Sequence, residues 1–106
     1  MTESQFLDRI ETTLEQIESA IDEARIEAQC SVSGLVLSIE LDDGAKIIVN
    51  AQTPLRQLWL ATRGGGMHFG FDGECWRDVR DGEEFFETLS RVLSEHLGEP
   101  VRLRPR

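Results

Sequence analysis

The sequence has little of what marks membrane, secreted or disulfide-bonded proteins. Apolar residues make up 40% of its 106 residues, yet they form no run near the roughly 20 residues that cross a bilayer. No signal peptide with a basic start, an apolar stretch and a cleavage site opens the chain, so we expect a cytoplasmic protein. Its two cysteines, Cys30 and Cys75, form no C-x-x-C pair. We expect reduced, buried or half-buried thiols.

The chain is also short of positive charge. Eleven basic residues stand against twenty acidic ones, giving a net charge of −9. Such a surface repels nucleic acids and anionic membranes, so neither is an expected partner, whereas cations and basic protein surfaces are favoured. The first 27 residues hold eight acidic and two basic side chains, which is six of the nine excess negative charges. The acidic character is therefore concentrated at the start of the chain.

Spacings of three and four between apolar residues predict a first helix from about Ser4 to Arg25, with Ser4 as its cap. Its apolar face comprises Phe6, Ile10, Leu14, Ile17 and Ile21. At 100° per residue, a second stripe about 60° wide lies beside that face. This acidic stripe consists of Glu11, Glu15, Glu18 and Asp22. Like charges four residues apart cost a few tenths of a kcal/mol, a penalty that a bound cation would relieve.

Alternation of apolar and polar residues predicts short strands after this helix. They are expected at Ser31–Leu41, Lys46–Asn50, Arg56–Thr62, Met67–Phe71 and Glu74–Val79, which makes five or six short strands. Gly34 is interpreted as a bulge or a bend within the first of them, and Arg63–Gly66 as a flexible loop. A final helix is expected from Glu83 to Leu97, capped by Asp81 together with Glu84 and ended by Gly98. The tail Pro100–Arg106 is expected to be a basic extended segment, in which Val101 and Leu103 either close the groove between the helices or belong to a frayed terminus.

This order of elements predicts one α+β domain over residues 1–106. The expected architecture is an α-β sandwich, in which a twisted antiparallel sheet of five or six strands carries the N- and C-terminal helices on one face. Strand parity turns Leu58 and Leu60 toward the helices. The opposite, open face would then carry Asn50, Gln52, Gln57 and Trp59.

Trp59 has two interpretations. It is either a core residue, in which case strand alternation places it on the wrong face, or an exposed anchor for a partner protein. Gln57 on the same face favours the second, because a tryptophan surrounded by amides supplies a large contact area together with hydrogen bonds.

The segment around Trp59 is similar to the signature of the bacterial frataxins, the CyaY family. The matching pattern is Asn50-x-Gln52-x-Pro54-x-x-Gln57-x-Trp59-Leu60-Ala61. Gly44, His68-Phe69, Trp76 and the acidic first helix extend the resemblance over the whole chain. It implies a protein without enzymatic turnover that acts in iron-sulfur cluster assembly. It also implies weak iron binding on an acidic ridge and docking on the cysteine desulfurase and scaffold complex.

Carried over to this sequence, the resemblance implies two surfaces. The metal-binding ridge would consist of Glu11, Glu15, Glu18, Asp22 and Glu23. The partner-binding surface would consist of Asn50, Gln52, Gln57 and Trp59. We expect a monomer in the absence of iron. The chain departs from the usual family pattern at Ala24, Arg25, Ala28 and Gln29, where denser acidic runs are common.

Other functions remain open at this level. The acidic stripe is also typical of a solvated helix face, or of an interaction module for a basic partner without a metal role. Carboxylates alone are hard ligands and predict weak, unselective binding of ions such as Fe²⁺, Mn²⁺ or Ca²⁺. His68 is interpreted as a strand residue rather than a ligand. Pairing of Cys75 with His68 as nucleophile and base lacks an orienting third group, which argues against an enzyme.

Overall fold

The computed structural model describes residues 1–105, and it begins with a long helix, α1 (Glu3–Glu23). The helix starts in a capping box, in which the Thr2 side chain accepts from the Gln5 backbone N–H and the Gln5 side chain accepts from the Thr2 N–H. The prediction that Ser4 caps the helix is therefore wrong. Thr2 satisfies a backbone donor that the first turn leaves without a partner.

Six strands follow, and each is antiparallel to the one before it. They are β1 (Ala28–Ser33), β2 (Val36–Leu41), β3 (Lys46–Gln52), β4 (Gln57–Thr62), β5 (Gly65–Phe71) and β6 (Trp76–Asp78). A single 3₁₀ turn, Thr53–Leu55, links β3 to β4. The second helix, α2 (Phe85–Leu97), ends at Gly98 in the left-handed conformation, as predicted.

Two connections are tighter than predicted. Gly34 does not form a bulge within one long strand, because a two-residue turn, Gly34–Leu35, separates β1 from β2. Gly34 has φ of 61°, a value that favours glycine. The interpretation of Arg63–Gly66 as a flexible loop is also wrong, since Thr62 pairs with Gly65 and only Arg63 and Gly64 form the turn.

The core lies between the sheet and the two helices. Alternate strand residues are buried toward the helices, including Leu37, Ile39, Ile47, Val49, Leu58, Leu60 and Phe69. They contact the apolar face of α1 and the phenylalanines of α2 in one cluster. The predicted α+β sandwich with both helices on one face is confirmed. Among residues 1–105, no helix is long and apolar enough to cross a membrane.

The cap of the second helix differs from the prediction, whereas the packing of the tail agrees with it. Glu84, not Asp81, is the N-cap of α2, and its carboxylate accepts from the backbone of Phe86 and Glu87. The prediction that Val101 and Leu103 of the tail pack is confirmed, and Arg106 lies outside the described residues. Leu103 is buried in the core at 4% exposure, and its N–H donates to Ser90 Oγ. Ser94 Oγ similarly bonds both backbone groups of Val101.

Candidate functional site

Trp59 lies on the open face of the sheet, as its parity predicted. Its neighbours in β4, Leu58 and Leu60, point toward the helices and are buried, at 0% and 1% exposure. The strand register then sets Asn50 of β3 on one side of Trp59 and His68 of β5 on the other. Gln52 pairs with Gln57 one position along the same face. The structure thus brings the four predicted contact residues together.

Two contacts hold the indole of Trp59 in place. Its Nε1 donates a hydrogen bond of 2.9 Å to Gln57 Oε1. Its ring stacks on the imidazole of His68, with ring centroids 4.0 Å apart and planes inclined by 8°. Because His68 covers one side of the ring, Trp59 is half-buried rather than fully exposed. The side chain therefore has little rotamer freedom left to lose when a partner binds.

His68 is the residue of this patch whose role the sequence did not reveal. The alternation of His68 with Met67 and Phe69 along the strand predicts that His68 lies on the open face. This alternation does not show which residue of β4 lies opposite His68. That register depends on the length of the β4–β5 connection. The two-residue turn at Arg63 and Gly64 aligns His68 with Trp59.

The acidic stripe of α1 forms a second surface. Glu11, Glu15 and Asp22 are exposed and Glu18 is half-buried. Among residues 1–105, none of these four carboxylates has a hydrogen-bond or ion-pair partner. The stripe faces the side of β1, where burial and then the charge of Glu18 raise the pKa of the Cys30 thiol. Its negative charge is therefore not neutralised within the described chain.

Glu23 lies apart from this stripe. By helical geometry it is about 110° around α1 from the centre of the other four carboxylates. It borders the same surface depression as Arg102 and Arg104 of the tail. Glu23 therefore points away from the other four carboxylates of the predicted ridge, toward a surface that it shares with two basic side chains.

The donor set is suited to loose binding of hard cations. Consecutive carboxylates of the stripe are three or four residues apart, which is roughly 5 to 6 Å along the helix axis. Within residues 1–105, no three His, Cys, Asp or Glu side chains converge as a closed metal site would require. Exposed carboxylate oxygens fit Fe²⁺, Mn²⁺ or Ca²⁺, with water completing the coordination.

Neither cysteine is set up as a nucleophile. Cys30 and Cys75 are free and half-buried, as predicted. Burial raises the pKa of the Cys75 thiol, and the nearby carboxylates of Asp72, Glu84 and Glu74 raise it further against the opposing effect of Arg77. A raised pKa keeps the thiol protonated and unreactive near neutral pH. His68, the base considered for Cys75 from the sequence, is stacked on Trp59 of β4.

Residues 1–99 match the family model described as a frataxin-like domain. The chain is 44% identical over 106 residues to the iron-sulfur cluster assembly protein CyaY of Paraburkholderia phymatum, covering 99% of this chain and 100% of that protein. It is 46% identical over 109 residues to the CyaY protein of Herminiimonas arsenicoxydans, covering 98% and 97%.

Solved structures show the same architecture. Frataxin from Psychromonas ingrahamii superimposes with a TM-score of 0.89 at 32% identity, covering 96% of this chain and 97% of that one. Trimeric frataxin from the yeast Saccharomyces cerevisiae, complexed with ferrous iron, gives a TM-score of 0.65 at 22% identity, covering 92% and 86%. At that identity the likeness to the yeast protein shows a common fold.

Proposed function

The chain belongs to the frataxin-like family, and from this premise we propose that it is a regulator or assistant of iron-sulfur cluster assembly. In this proposal it binds the complex of cysteine desulfurase and scaffold protein and carries iron weakly at its surface. It acts in the cytoplasm as one domain, without catalysing a reaction, and it is a monomer when iron is absent. The relatives named for iron-sulfur cluster assembly support this function.

The observation that carries the partner role is the fixed indole of Trp59. A tryptophan held by Gln57 and His68 before binding pays less entropy on docking than a mobile one. Asn50, Gln52 and Gln57 provide amides for the backbone or polar groups of the partner around this central ring. We propose that these four residues form the contact surface, with His68 as the residue that positions Trp59.

Iron is the proposed cargo of the acidic stripe. Glu11, Glu15, Glu18 and Asp22 provide hard oxygen donors without a cationic partner in the described chain. Binding a cation would also relieve the repulsion between carboxylates four residues apart. We keep Glu23 in the proposed set of iron ligands but expect it to contribute least to iron affinity, because Arg102 and Arg104 line the same surface depression. A yeast protein of the same fold is complexed with ferrous iron, which makes Fe²⁺ the first ion to test.

The deciding experiment is a time course of cluster formation with purified desulfurase and scaffold. It is run with and without this protein at several Fe²⁺ concentrations, using wild type, Trp59→Ala and the combined variant Glu11→Gln/Glu15→Gln/Glu18→Gln/Asp22→Asn. The wild type should change the rate in an iron-dependent manner, and both variants should reduce that change. An unchanged rate at every iron level would exclude the proposal.

A second candidate function is an acidic interaction module for a basic partner, without a physiological metal role. The carboxylates of Glu11, Glu15, Glu18 and Asp22, which have no ion-pair partner among residues 1–105, favour it as much as they favour iron. Two measurements distinguish the functions. An interaction module should change the assembly rate equally at low and high iron, and NMR titration with Fe²⁺ should move no resonances between Glu11 and Glu27.

A further inference from the structure

A groove on the helix-bearing side of the molecule has properties opposite to those of the acidic stripe. It lies between the last two turns of α2, the start of β3 and the β4–β5 turn, and has a volume of about 700 Å³. Its apolar lining includes Ala45, Ile47, Met67 and Val92, which are buried or half-buried and so form its floor. This volume is in the range of sites for small organic ligands.

The rim of this groove is strongly basic. Four cationic side chains line it, and Glu95 is the single carboxylate among its lining residues. The cations are Lys46, Arg63, Arg80 and Arg91. They amount to more than a third of the eleven basic residues in a chain of net charge −9. Such a concentration of one sign raises the local concentration of anions.

Much of this positive charge is available to a ligand. Among residues 1–105, Lys46 and Arg63 have no hydrogen-bond or ion-pair partner. The guanidinium of Arg80 makes a long ion pair of 3.6 Å, from its Nε to Asp78 Oδ1. Arg91 is fixed by Glu83 at 2.9 Å and so provides a positioned charge at the edge of the groove.

Several acidic side chains around the groove are engaged in contacts of their own, including Glu95 of the lining, whose Oε1 lies 3.8 Å from Arg91 Nη1. Glu83 accepts from Arg91 and from the Thr88 hydroxyl. Asp43, at the β2–β3 turn, lies 2.8 Å from His96 Nε2 of α2. Among residues 1–105, Lys46 and Arg63 are therefore the cations of the rim that have no carboxylate in ion-pair contact.

We infer that this groove binds a small organic polyanion that has an apolar or aromatic body. Guanidinium groups bind phosphate and carboxylate oxygens in pairs, which suits the rim. The floor of Ala45, Ile47, Met67 and Val92 gives a flat ring or chain a surface on which to lie. A nucleoside triphosphate combines both features, whereas inorganic triphosphate or citrate supplies the charge alone. This inference does not depend on the proposed function.

The test is ¹⁵N NMR titration and calorimetry of the whole protein without metal, using ATP, inorganic triphosphate, citrate and adenosine as separate probes. ATP should shift resonances at the groove and bind more tightly than triphosphate or citrate, and adenosine should bind least. Raising the salt concentration should weaken binding of all three anions. Equal affinity for ATP and triphosphate would overturn the role of the apolar floor.

Variants locate the site. Arg63→Gln and Arg80→Gln should each weaken ATP binding about tenfold, since each removes one charge-assisted contact. Arg104→Gln, an exposed arginine outside the groove, is the matched control and should change it less than twofold. Both sites are exposed, so folding should be preserved. No shift at millimolar ATP, or equal losses in the control, would overturn the inference.

Discussion

The indole of Trp76 in β6 donates a hydrogen bond of 2.9 Å from Nε1 to Thr13 Oγ1 in the middle of α1. Both residues are buried, at 3% and 2% exposure, and they are 63 positions apart in the chain. The Thr13 hydroxyl in turn donates to the backbone carbonyl of Arg9. This contact fixes α1 against the last strand of the sheet, so the acidic stripe is held in a constant position relative to Trp59.

Replacing Thr13 with valine should therefore destabilise the protein. The variant keeps the shape but leaves the buried Trp76 N–H without an acceptor, which costs about 1 to 3 kcal/mol in the free energy of unfolding. Urea unfolding followed by circular dichroism measures the loss. The exposed neighbour Thr12→Val is the matched control and should stay within about 0.5 kcal/mol of the wild type. Equal effects of the two variants would mean that this bond adds no stability.

Removing the Trp59 side chain should separate binding from folding. Because the ring lies on the open face and outside the core, Trp59→Ala should change the unfolding free energy by less than about 1 kcal/mol. Its affinity for the desulfurase and scaffold complex should fall at least about tenfold, as for a central anchor residue. A large stability loss with unchanged affinity would instead assign Trp59 to the core.

His68 offers a finer test of the same patch. His68→Ala removes the stacking partner but leaves the indole in place, so Trp59 regains side-chain freedom that binding must restrict again. This costs about 1 kcal/mol, or about fivefold in affinity, for one freed side chain. Calorimetry measures the affinity, and tryptophan fluorescence reports the changed surroundings of the ring. Ser38→Ala, at another half-buried position on the open face, should leave both unchanged.

Neutralising part of the acidic stripe should strengthen the fold and weaken iron binding. Glu15→Gln removes one like-charge pair with Glu11, so unfolding free energy should rise by a few tenths of a kcal/mol. Fe²⁺ affinity, measured anaerobically by calorimetry, should fall. Glu23→Gln should reduce it less, and Glu99→Gln, outside the stripe, should leave it unchanged. An equal reduction by Glu99→Gln would show that iron responds only to overall charge.

Asp72 should make stability depend on pH in the acid range. Backbone N–H groups of Cys75 and Glu74, and then the Arg77 side chain, lower its pKa from 3.8 to about 2. Because folding lowers this pKa, the stabilisation is present above about pH 4 and is lost as pH falls toward 2. Asp72→Asn should thus be less stable than wild type near neutral pH, and the difference should disappear near pH 2. An NMR titration midpoint near 3.8 would contradict this.

Much of the fold follows from the sequence because the apolar periods are long and regular. The α1 stripe and the alternation around Leu58 and Leu60 determine which side of each element is buried. The turn at Gly34 was missed because a glycine suits a bulge and a tight turn equally well. The cap at Thr2 was missed because Thr2, Ser4 and Asp8 are all plausible caps near the start of the helix.

The face of the sheet on which each site residue lies could be predicted from the alternation of side chains along the strands. Asn50, Gln52, Gln57 and Trp59 share a face because residues two apart on a strand do so, and paired strands continue the pattern. The stacking of Trp59 on His68 depends instead on the exact length of the turn between β4 and β5, at Arg63 and Gly64. The sequence did not predict that Glu23 lies beside Arg102 and Arg104. This proximity depends on the path of the tail back to α1, which no local sequence pattern encodes.

The meander described above also bears on how fast the protein reaches its native state. Every strand pairs with a neighbour in the chain, so the whole sheet can form as successive hairpins without waiting for distant segments to meet. The hydrogen bond between Thr13 and Trp76 and the packing of Leu103 are the contacts that must close long loops. We expect the hairpins to form early and the docking of α1 and the tail to complete the transition late.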